Sequence, residues 1–232
     1  MGVSGGPYIV RDSSLVLELD AADRNSYVSG STVWRDLSEY LNNITLSGGP
    51  TFVDEKKGVI QFDGLDDVGT ISYRASLSVP NYHTLEVWMY TIGEGVNSSG
   101  VGAVIRAGQG ADEQYSLFIQ PGPGGWYSQW VSGSVFTGAG EVGYAPSQRW
   151  NHMVLIRNES NMIFYHDGEQ KYSQTVDITT RATFGTLSIG RTTANTFQRF
   201  YGNIGNLRIY NRVLNAQEVL QNYNALRYRF NL

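Results

Sequence analysis

Residues 200–225, FYGNIGNLRIYNRVLNAQEVLQNYNA, decide the fold, because a strand pattern in them runs directly into a helix pattern. In GNLRIY (205–210) polar and apolar side chains alternate, and this alternation predicts a half-buried β-strand. The Asn-Arg pair at 211–212 marks a turn after the strand. The segment therefore predicts a final strand that leads through a turn into a short helix.

The helix of this segment begins at Asn215. The side chain of Asn215 can cap the helix, and Glu218 lies three residues later, as in a capping box. Val219, Leu220 and Tyr223 are spaced as one apolar face. The sequence thus predicts one helix near the end of the chain, with these three side chains packed against the rest of the fold.

Short alternating stretches recur upstream, and Gly, Asn, Asp or Pro residues bound each of them. In TLEVWMY (84–90), Glu86, Trp88 and Tyr90 share the face opposite to that of three apolar side chains. The other predicted strands are 14–19, 115–120, 150–157, 162–168 and 186–190. Alternation over many short segments predicts an all-β fold, an antiparallel β-sandwich with one short C-terminal helix.

Composition sets limits on the function. The chain has 232 residues and no break in composition, which predicts one domain over residues 13–232 after an arm of residues 1–12. The net charge is −4 and only 16% of residues are charged, so no basic surface for nucleic acid is expected. The chain has no cysteine, which excludes disulfides and thiolate metal sites.

Targeting signals are not visible in the sequence. No stretch approaches the roughly 20 apolar residues of a transmembrane helix. MGVSGGPYIVRDSS (1–14) lacks the basic and apolar regions of a signal peptide. The sequence therefore predicts no membrane partner and no export by a cleaved signal.

Six segments occur in the order found in one known family. They are FDGLDD (62–67), TLEVWMY (84–90), WNHMVLIRN (150–158), FYHDG (164–168), LSIG (187–190) and the segment 200–225. In this order the chain resembles the LamG-like, concanavalin A-like jelly rolls. The resemblance implies two curved antiparallel sheets packed face to face, and the last segment is its most specific part.

Residues 5–52 carry a second resemblance. They contain LDAADRNSY (19–27), WRDLS (34–38) and GGPTF (48–52), and they look like the N-terminal part of virion proteins of tailed bacteriophages that carry this domain. The two resemblances together cover nearly the whole chain. They imply a location in the phage particle, other virion proteins as partners, and assembly as a homo-oligomer.

FDGLDD places three carboxylates, Asp63, Asp66 and Asp67, around Gly64. Calcium takes six to eight oxygen ligands, and many members of the family hold calcium at a sheet rim, so the resemblance implies a calcium site here. The other interpretation is a polar turn whose carboxylates bond nearby backbone N–H groups. The carboxylates that would complete a metal site, if the fold brings them close, are Asp20, Asp23 and Asp36.

The candidate ligand-binding residues are Trp126, Tyr127 and Trp130, which follow the Gly- and Pro-rich start of PGPGGWYSQW (121–130). Flat aromatic rings stack on the apolar faces of sugars, and Trp and Tyr also dominate protein interfaces. Trp126 and Trp130 share one face of an extended segment, so they also fit the core of a sandwich. The sequence leaves these three interpretations open.

The acidic strand of laminarinase-like enzymes of this fold is missing. Those enzymes carry E-x-D-x-x-E or E-x-D-x-E on one strand, whereas Glu86 on the comparable strand alternates with Trp88 and Tyr90. A glycosidase needs two carboxylates about 5–9.5 Å apart, and Asp63 and Asp66 would form such a pair only by accident of spacing. On this basis the sequence predicts no catalytic residues and no enzymatic activity.

Two functions remain as predictions. The first is a non-enzymatic structural protein of a tailed-phage virion, as capsid decoration or as a tail or fibre component that presents a glycan- or cell-binding surface. The alternative is a calcium-dependent, lectin-like carbohydrate-binding module of a bacterial or phage surface protein, with a cell-surface glycan as its partner.

Overall fold

The structure, a computed structural model, describes residues 7–93, 102–108, 113–120, 125–127, 148–175, 183–193 and 198–232. In these residues fifteen strands form two antiparallel sheets, and one α-helix follows the last strand. The predicted all-β sandwich with one short helix is confirmed. None of the helical segments described is long and apolar enough to cross a bilayer.

Eight strands form the first sheet: β1 (Leu15–Asp20), β4 (Thr51–Val53), β5 (Val59–Asp63), β7 (Tyr82–Thr91), β11 (Trp150–Asn158), β12 (Asn161–His166), β13 (Glu169–Thr175) and β15 (Tyr201–Tyr210). Seven of them follow the order β13-β12-β11-β7-β15-β5-β4. β5 pairs with the first half of β15 and β1 with its second half. β15 also pairs with β7, so this long strand holds three neighbouring strands in register.

Seven strands form the second sheet: β2 (Val33–Trp34), β3 (Ile44–Ser47), β6 (Val68–Ser72), β8 (Gly102–Ala107), β9 (Tyr115–Gln120), β10 (Gly125–Tyr127) and β14 (Thr186–Ile189). Their order is β10-β9-β8-β14-β6-β3-β2. A short 3-10 helix, Ala75–Leu77, lies between β6 and β7, and the α-helix α1 spans Ala216–Leu226.

The hydrophobic core lies between the two sheets. Leu85, Val87 and Met89 of β7 belong to the same buried cluster as Ile105 and Leu117 of the second sheet. These side chains recur with period 2, so the opposite side chains of β7 lie on the outward face of the first sheet. The predicted alternation in residues 84–90 is confirmed.

Helix α1 covers part of this outward face. Asn215 caps the helix by accepting hydrogen bonds from the N–H groups of Gln217 and Glu218, and the Glu218 side chain completes the capping box. Val219 is fully buried, as expected, but Leu220 is 45% exposed. The prediction that Leu220 packs inward is wrong, because Asn222 takes a fully buried place on the inner side of the helix.

A buried ionic network explains why a polar residue faces inward. Arg208 of β15 lies between two carboxylates, 3.2 Å from Glu18 and 3.1 Å from Glu86, and all three side chains are about 1% exposed or less. Asn222 donates to Glu86 at 2.7 Å, and His152 contacts the other oxygen at 3.0 Å. The helix therefore bonds to the sheet through a buried charge as well as through apolar contacts.

Arg208 keeps Glu86 ionised inside the fold. Burial alone would raise the pKa of this carboxyl, but Arg208 and the hydrogen bonds from His152 and Asn222 lower it below its ordinary value. Buried charges require such partners. Arg11 reinforces the network from the start of the chain with two bonds to Glu18 at 2.8 and 2.9 Å.

Two hairpin turns connect β11, β12 and β13. Glu159, at a φ of 53°, turns the chain between β11 and β12. Asp167 and Gly168 have φ values of 52° and 81° and connect β12 to β13. A side chain at Gly168 would come within 2.9 Å of the Tyr223 ring, so this glycine also lets α1 pack against the turn.

Replacing Arg208 with methionine should destabilise the fold strongly. Arg208→Met keeps much of the side-chain volume but leaves Glu18 and Glu86 buried without their shared cation. We expect the free energy of unfolding to fall by about 3–5 kcal/mol, measured by denaturant titration. Lys171→Met, at an exposed ion pair, is the control and should change it by under about 1 kcal/mol. A small change for Arg208→Met would contradict this account.

His83 gives the fold a pH dependence. Its ring is 1% exposed on the core side of β7, and Nδ1 lies 2.7 Å from the carbonyl oxygen of Val79, so Nδ1 carries the proton. Burial lowers the pKa of His83 from 6.5 to about 3. Between about pH 3 and pH 6.5, His83 is therefore protonated in the unfolded chain and neutral in the folded chain.

Acid should destabilise the protein through His83 over this window. Stability from the neutral ring is fully present above pH 6.5 and is lost at up to about 1.4 kcal/mol per pH unit as the pH falls towards 3. His83→Gln should be less stable at pH 7, yet lose less stability between pH 6.5 and 4. Denaturant titrations of both proteins across this range test the difference, and parallel curves would exclude the effect.

Candidate functional site

A row of four side chains crosses the outward face of the first sheet. Trp150 pairs with Tyr90 across β11 and β7, Tyr90 pairs with Asn203 of β15, and Asn203 pairs with Gln61 of β5. Four neighbouring strands span roughly 14 Å at about 4.8 Å per step. The row forms the floor of an open groove, because helix α1 covers a different part of this face.

Three segments form the walls of this groove. They are the turn between β4 and β5 with Glu55 and Lys56, the start of β11 with Gln148 and Arg149, and residues 230–232 after the helix. The cavity they enclose has a volume of about 440 Å³. It is large enough for a small ligand to lie across the four strands.

Phe230 forms the border between the covered and the open part of the face. Its ring stacks on Trp88 with centroids 4.5 Å apart and an interplanar angle of 12°, and it lies 4.5 Å from Trp150. A side chain at Gly205 would come within 2.7 Å of this ring, so the glycine makes room for Phe230. Trp88 is fully buried beneath Phe230, while Tyr90, two residues later, lines the groove.

The floor of the groove combines aromatic surface with amide groups. The rings of Tyr90 and Trp150 are 5.9 Å apart. Gln61 Nε2 donates to Asn203 Oδ1 at 3.1 Å, and no other described residue bonds these two amides. Gln61 Oε1 and Asn203 Nδ2 therefore stay available as an acceptor and a donor. Apolar ring faces beside paired donors and acceptors suit a ligand that has both an apolar face and hydroxyl groups.

The three aspartates of FDGLDD lie together at the end of β5. Each of Asp63, Asp66 and Asp67 has a carboxylate oxygen within 4.8 Å of the others. Asp63 accepts from the N–H of Leu65 at 2.7 Å, and Asp67 accepts from the N–H of Asp63 at 2.8 Å. The expected polar turn is thus present, and the carboxylates still have oxygens to spare.

Asp67 is the most unusual member of this aspartate cluster. It is 5% exposed, and its Oδ1 is buried without a hydrogen-bond partner. Burial, with the neighbouring charges of Asp63 and Asp66, raises the pKa of Asp67 to about 6. A buried carboxylate oxygen without a donor is costly, and oxygen atoms of this kind are the ligands that calcium takes. The residues present fit a calcium ion.

The other carboxylates considered in the sequence do not join the aspartate cluster. Asp20 forms an ion pair with Arg229 at 2.8 Å, and Asp23 accepts from the N–H of Asn25. Asp36 accepts from the N–H groups of Glu18 and Asn42 and stabilises the loop before β3. In this fold these three carboxylates have other partners and are not part of the group formed by Asp63, Asp66 and Asp67.

The aspartate cluster lies beside the groove. Asp63 is two residues after Gln61 on the same face of β5, a distance of about 7 Å along the strand. Asp63 pairs with Tyr201 of β15 in the same way that Gln61 pairs with Asn203. A cation held by the cluster would thus lie at the rim of the groove, near the amide end of its floor.

Two of the three predicted aromatic residues lie at an edge of the second sheet. Trp126 and Tyr127 lie in the edge strand β10, where they pair with Ile119 and Phe118 of β9. Their side chains, and Trp130 as a whole, lie outside the described residues. The role of these three residues stays a prediction.

Tyr90, Trp150, Asn203 and Gln61 were not identified as site residues from the sequence. The alternation in residues 84–90 placed Tyr90 on the face opposite the core, which was the one available signal. Trp150 is only 5% exposed, although it also lines the groove. Glu86, on the strand where related enzymes carry acids, is sealed beneath α1.

Comparison with known families identifies the fold. The profile of the concanavalin A-like lectin/glucanases superfamily matches residues 63–220, which is more than half of the chain. The chain belongs to this superfamily, and the predicted jelly-roll resemblance is confirmed. A search of curated protein sequences found no significant match.

Solved structures with this fold include domains of carbohydrate-active proteins. Domain 4 of an extracellular GH43 arabinanase from Geobacillus stearothermophilus, solved in complex with arabinotriose, matches with a TM-score of 0.73 at 16% identity, over 90% of this chain and 98% of that domain. Trypanosoma rangeli sialidase in complex with sialic acid matches with a TM-score of 0.71 at 16% identity, over 97% of this chain and 36% of the sialidase. The binding domain of Paraclostridial Mosquitocidal Protein 1 matches with a TM-score of 0.64 at 15% identity, over 91% and 52% of the two chains.

These comparisons correct one prediction from the sequence. The prediction of no enzymatic activity is contradicted, because the similar structures come from glycoside hydrolases, an arabinanase and a sialidase. At such low identity the similarity extends to the fold alone, and the chain spans about a third of the sialidase. The fold is thus one that occurs in carbohydrate-binding or glycosidase domains.

Proposed function

We propose that the protein is a glycan-binding domain that holds a saccharide in the groove across β11, β7, β15 and β5. The observation that carries this proposal is the row of Trp150, Tyr90, Asn203 and Gln61, which places aromatic rings and amide groups side by side on the floor of the groove. The rings pack against the apolar face of a sugar, and the amides bond its hydroxyl groups.

The length of the floor selects a short, linear ligand. It extends roughly 14 Å across four strands, which is several times the width of one hydroxyl-bearing ring. Residues 230–232 close its long side, so a bound chain runs parallel to the row. The arabinanase domain that was solved with arabinotriose supports an oligosaccharide of this size.

Calcium at Asp63, Asp66 and Asp67 is the second part of the proposal. The unpartnered Oδ1 of Asp67 supports it. The ion would hold the β5–β6 turn in place at the rim, and its remaining ligands would be water or hydroxyl groups of the saccharide. In this position the calcium ion would connect the β5–β6 turn to the bound saccharide, but it would not form part of the groove floor.

The earlier prediction of a virion role rests on residues 5–52 alone. A glycan-binding groove fits a phage tail or fibre that contacts the host surface, and it equally fits a domain attached to a glycoside hydrolase. We therefore propose virion proteins as partners, and a homo-oligomeric state, as part of the virion role. Co-purification of the chain with phage particles tests that role.

Replacing Tyr90 tests the groove. Calorimetric titration with arabinotriose and other neutral linear oligosaccharides should give saturable binding, and Tyr90→Ala should weaken it by about 2 kcal/mol, roughly thirtyfold. Gln61→Ala should weaken it less, because one amide contact is lost. The matched control is Tyr82→Ala, an exposed tyrosine at the other end of the same strand.

The same mixtures are assayed for newly formed reducing sugar, which separates binding from hydrolysis. Absence of saturable binding across the panel would overturn the proposed function. So would a loss of affinity in Tyr82→Ala as large as that in Tyr90→Ala.

Calcium should raise the thermal midpoint of the wild-type protein. At a calcium concentration of about 100 times the dissociation constant, binding contributes about 2.7 kcal/mol, or roughly 5–10 °C for a domain of this size. Asp67→Asn should abolish this rise, yet be at least as stable as wild type in EDTA, because it removes a buried charge. Glu169→Gln, an exposed carboxylate elsewhere, is the control. A calcium effect that persists in Asp67→Asn would exclude the site.

A further inference from the structure

A second cavity lies on the other side of the β4–β5 turn from the groove. Its volume is about 540 Å³, the larger of the two. Its walls come from the segment after β1, from β4 and from the turn. They comprise Ala21, Ala22, Arg24, Tyr27, Val28, Ser29, Phe52, Asp54 and Lys57.

Two aromatic side chains line the inner wall of this second cavity: Phe52, which is half-buried, and Tyr27, which is 3% exposed. The rings of Tyr27 and Phe52 stack with centroids 5.9 Å apart and an interplanar angle of 24°. The hydroxyl of Tyr27 donates to the carbonyl oxygen of Ser31 at 3.0 Å, so its polar end is already bonded. The small side chains of Ala21 and Ala22 leave the space beside the rings open.

The mouth of the second cavity carries two exposed cations. Arg24 and Lys57 form no ion pair with any described residue, and Asp54 is the carboxylate that lines the same cavity. The lining thus has a net charge of +1, from two cations and one carboxylate, in a chain whose net charge is −4. In a chain of negative net charge, a cavity with a positively charged lining favours a ligand that carries an anionic group.

The turn itself directs its two lysines to opposite sides. Lys56 and Lys57 both have positive φ, 48° and 69°, which is rare for residues other than glycine. As a result Lys56 lines the groove and Lys57 lines the second cavity. Arg229 holds this backbone by donating to the carbonyl oxygens of Lys56 at 2.6 Å and Gly58 at 2.8 Å.

We propose that the second cavity is a binding site for an acidic sugar unit, a pyranose ring that bears a carboxylate or a sulfate. The sugar ring packs against Phe52, which Tyr27 supports from the core side, and its anionic group lies between the exposed side chains of Arg24 and Lys57. This site is separate from the groove, whose floor is made of amides and aromatic rings. The proposal of an acidic-sugar site is therefore independent of the proposed binding of neutral glycans in the groove.

The test is calorimetric titration with three probes: oligogalacturonate, a sulfated galacto-oligosaccharide and the neutral galacto-oligosaccharide. One or both acidic probes should bind, and their affinity should fall between about 0.05 M and 0.5 M salt, because exposed charges are screened. The double variant Arg24→Gln/Lys57→Gln should weaken binding roughly tenfold. Comparison of the carboxylate and sulfate probes shows which anion the site takes.

A steric variant and two controls complete the experiment. Ala22→Leu fills the cavity from its wall and should abolish binding of the acidic probe while leaving both charges in place. Tyr90→Ala, in the groove, and Lys171→Gln, a distant surface charge, should leave this binding unchanged. Equal affinity for the neutral and acidic probes in Tyr90→Ala, where binding in the groove is weakened, or wild-type affinity in both Ala22→Leu and the double variant, would overturn the proposal. The thermal midpoint of each variant is measured as well, to check that the variant is folded.

Discussion

The position of Arg208 between Glu18 and Glu86 is the constraint on which the rest of the structure depends. These groups lie on the outward face of the first sheet, where water would normally solvate them, yet they are about 1% exposed or less. They tolerate burial because every charge has an opposite partner and additional hydrogen bonds. Helix α1 supplies Asn222, which donates to Glu86 and accepts from the N–H of Val10. Residues from both ends of the described chain thereby converge on one side chain.

This convergence divides the outward face into two parts. Beneath α1 and Phe230 the strands carry buried charges and Trp88, and no ligand can reach them. Two residues further along β7 the cover ends, and Tyr90 lies at the floor of the groove. Strands β7, β11 and β15 therefore carry buried polar side chains beneath the helix and, further along, the side chains that form the floor of the groove. The cover fixes where the groove begins, since Phe230 packs against Trp88 and Trp150 at this border.

Features that depend on neighbouring residues could be predicted from the sequence, and features that depend on strand order could not. The capping box of Asn215 and Glu218 and the turn at Asp167 involve residues a few positions apart, and local patterns indicate them reliably. The aspartate cluster was visible because its members lie within five positions of one another. In contrast, Gln61, Tyr90, Trp150 and Asn203 meet only through the register of four strands. Leu220 was placed inward because periodicity counts apolar residues, and it cannot show that Asn222 has a buried carboxylate to bond.

Arg229 has a consequence for how the two cavities act together. It binds the carbonyl oxygens of Lys56 and Gly58 and pairs with Asp20 at the end of β1, and it is itself largely buried. Arg229 therefore restrains the turn that separates the groove from the second cavity, and with it the spacing of the two proposed sites. A heteropolysaccharide whose neutral and acidic units match this spacing would gain avidity, because binding at one site raises the effective concentration at the other. A polymer with a different repeat would gain no avidity. The turn between the two proposed sites would thus select polymers by the order of sugars along the chain.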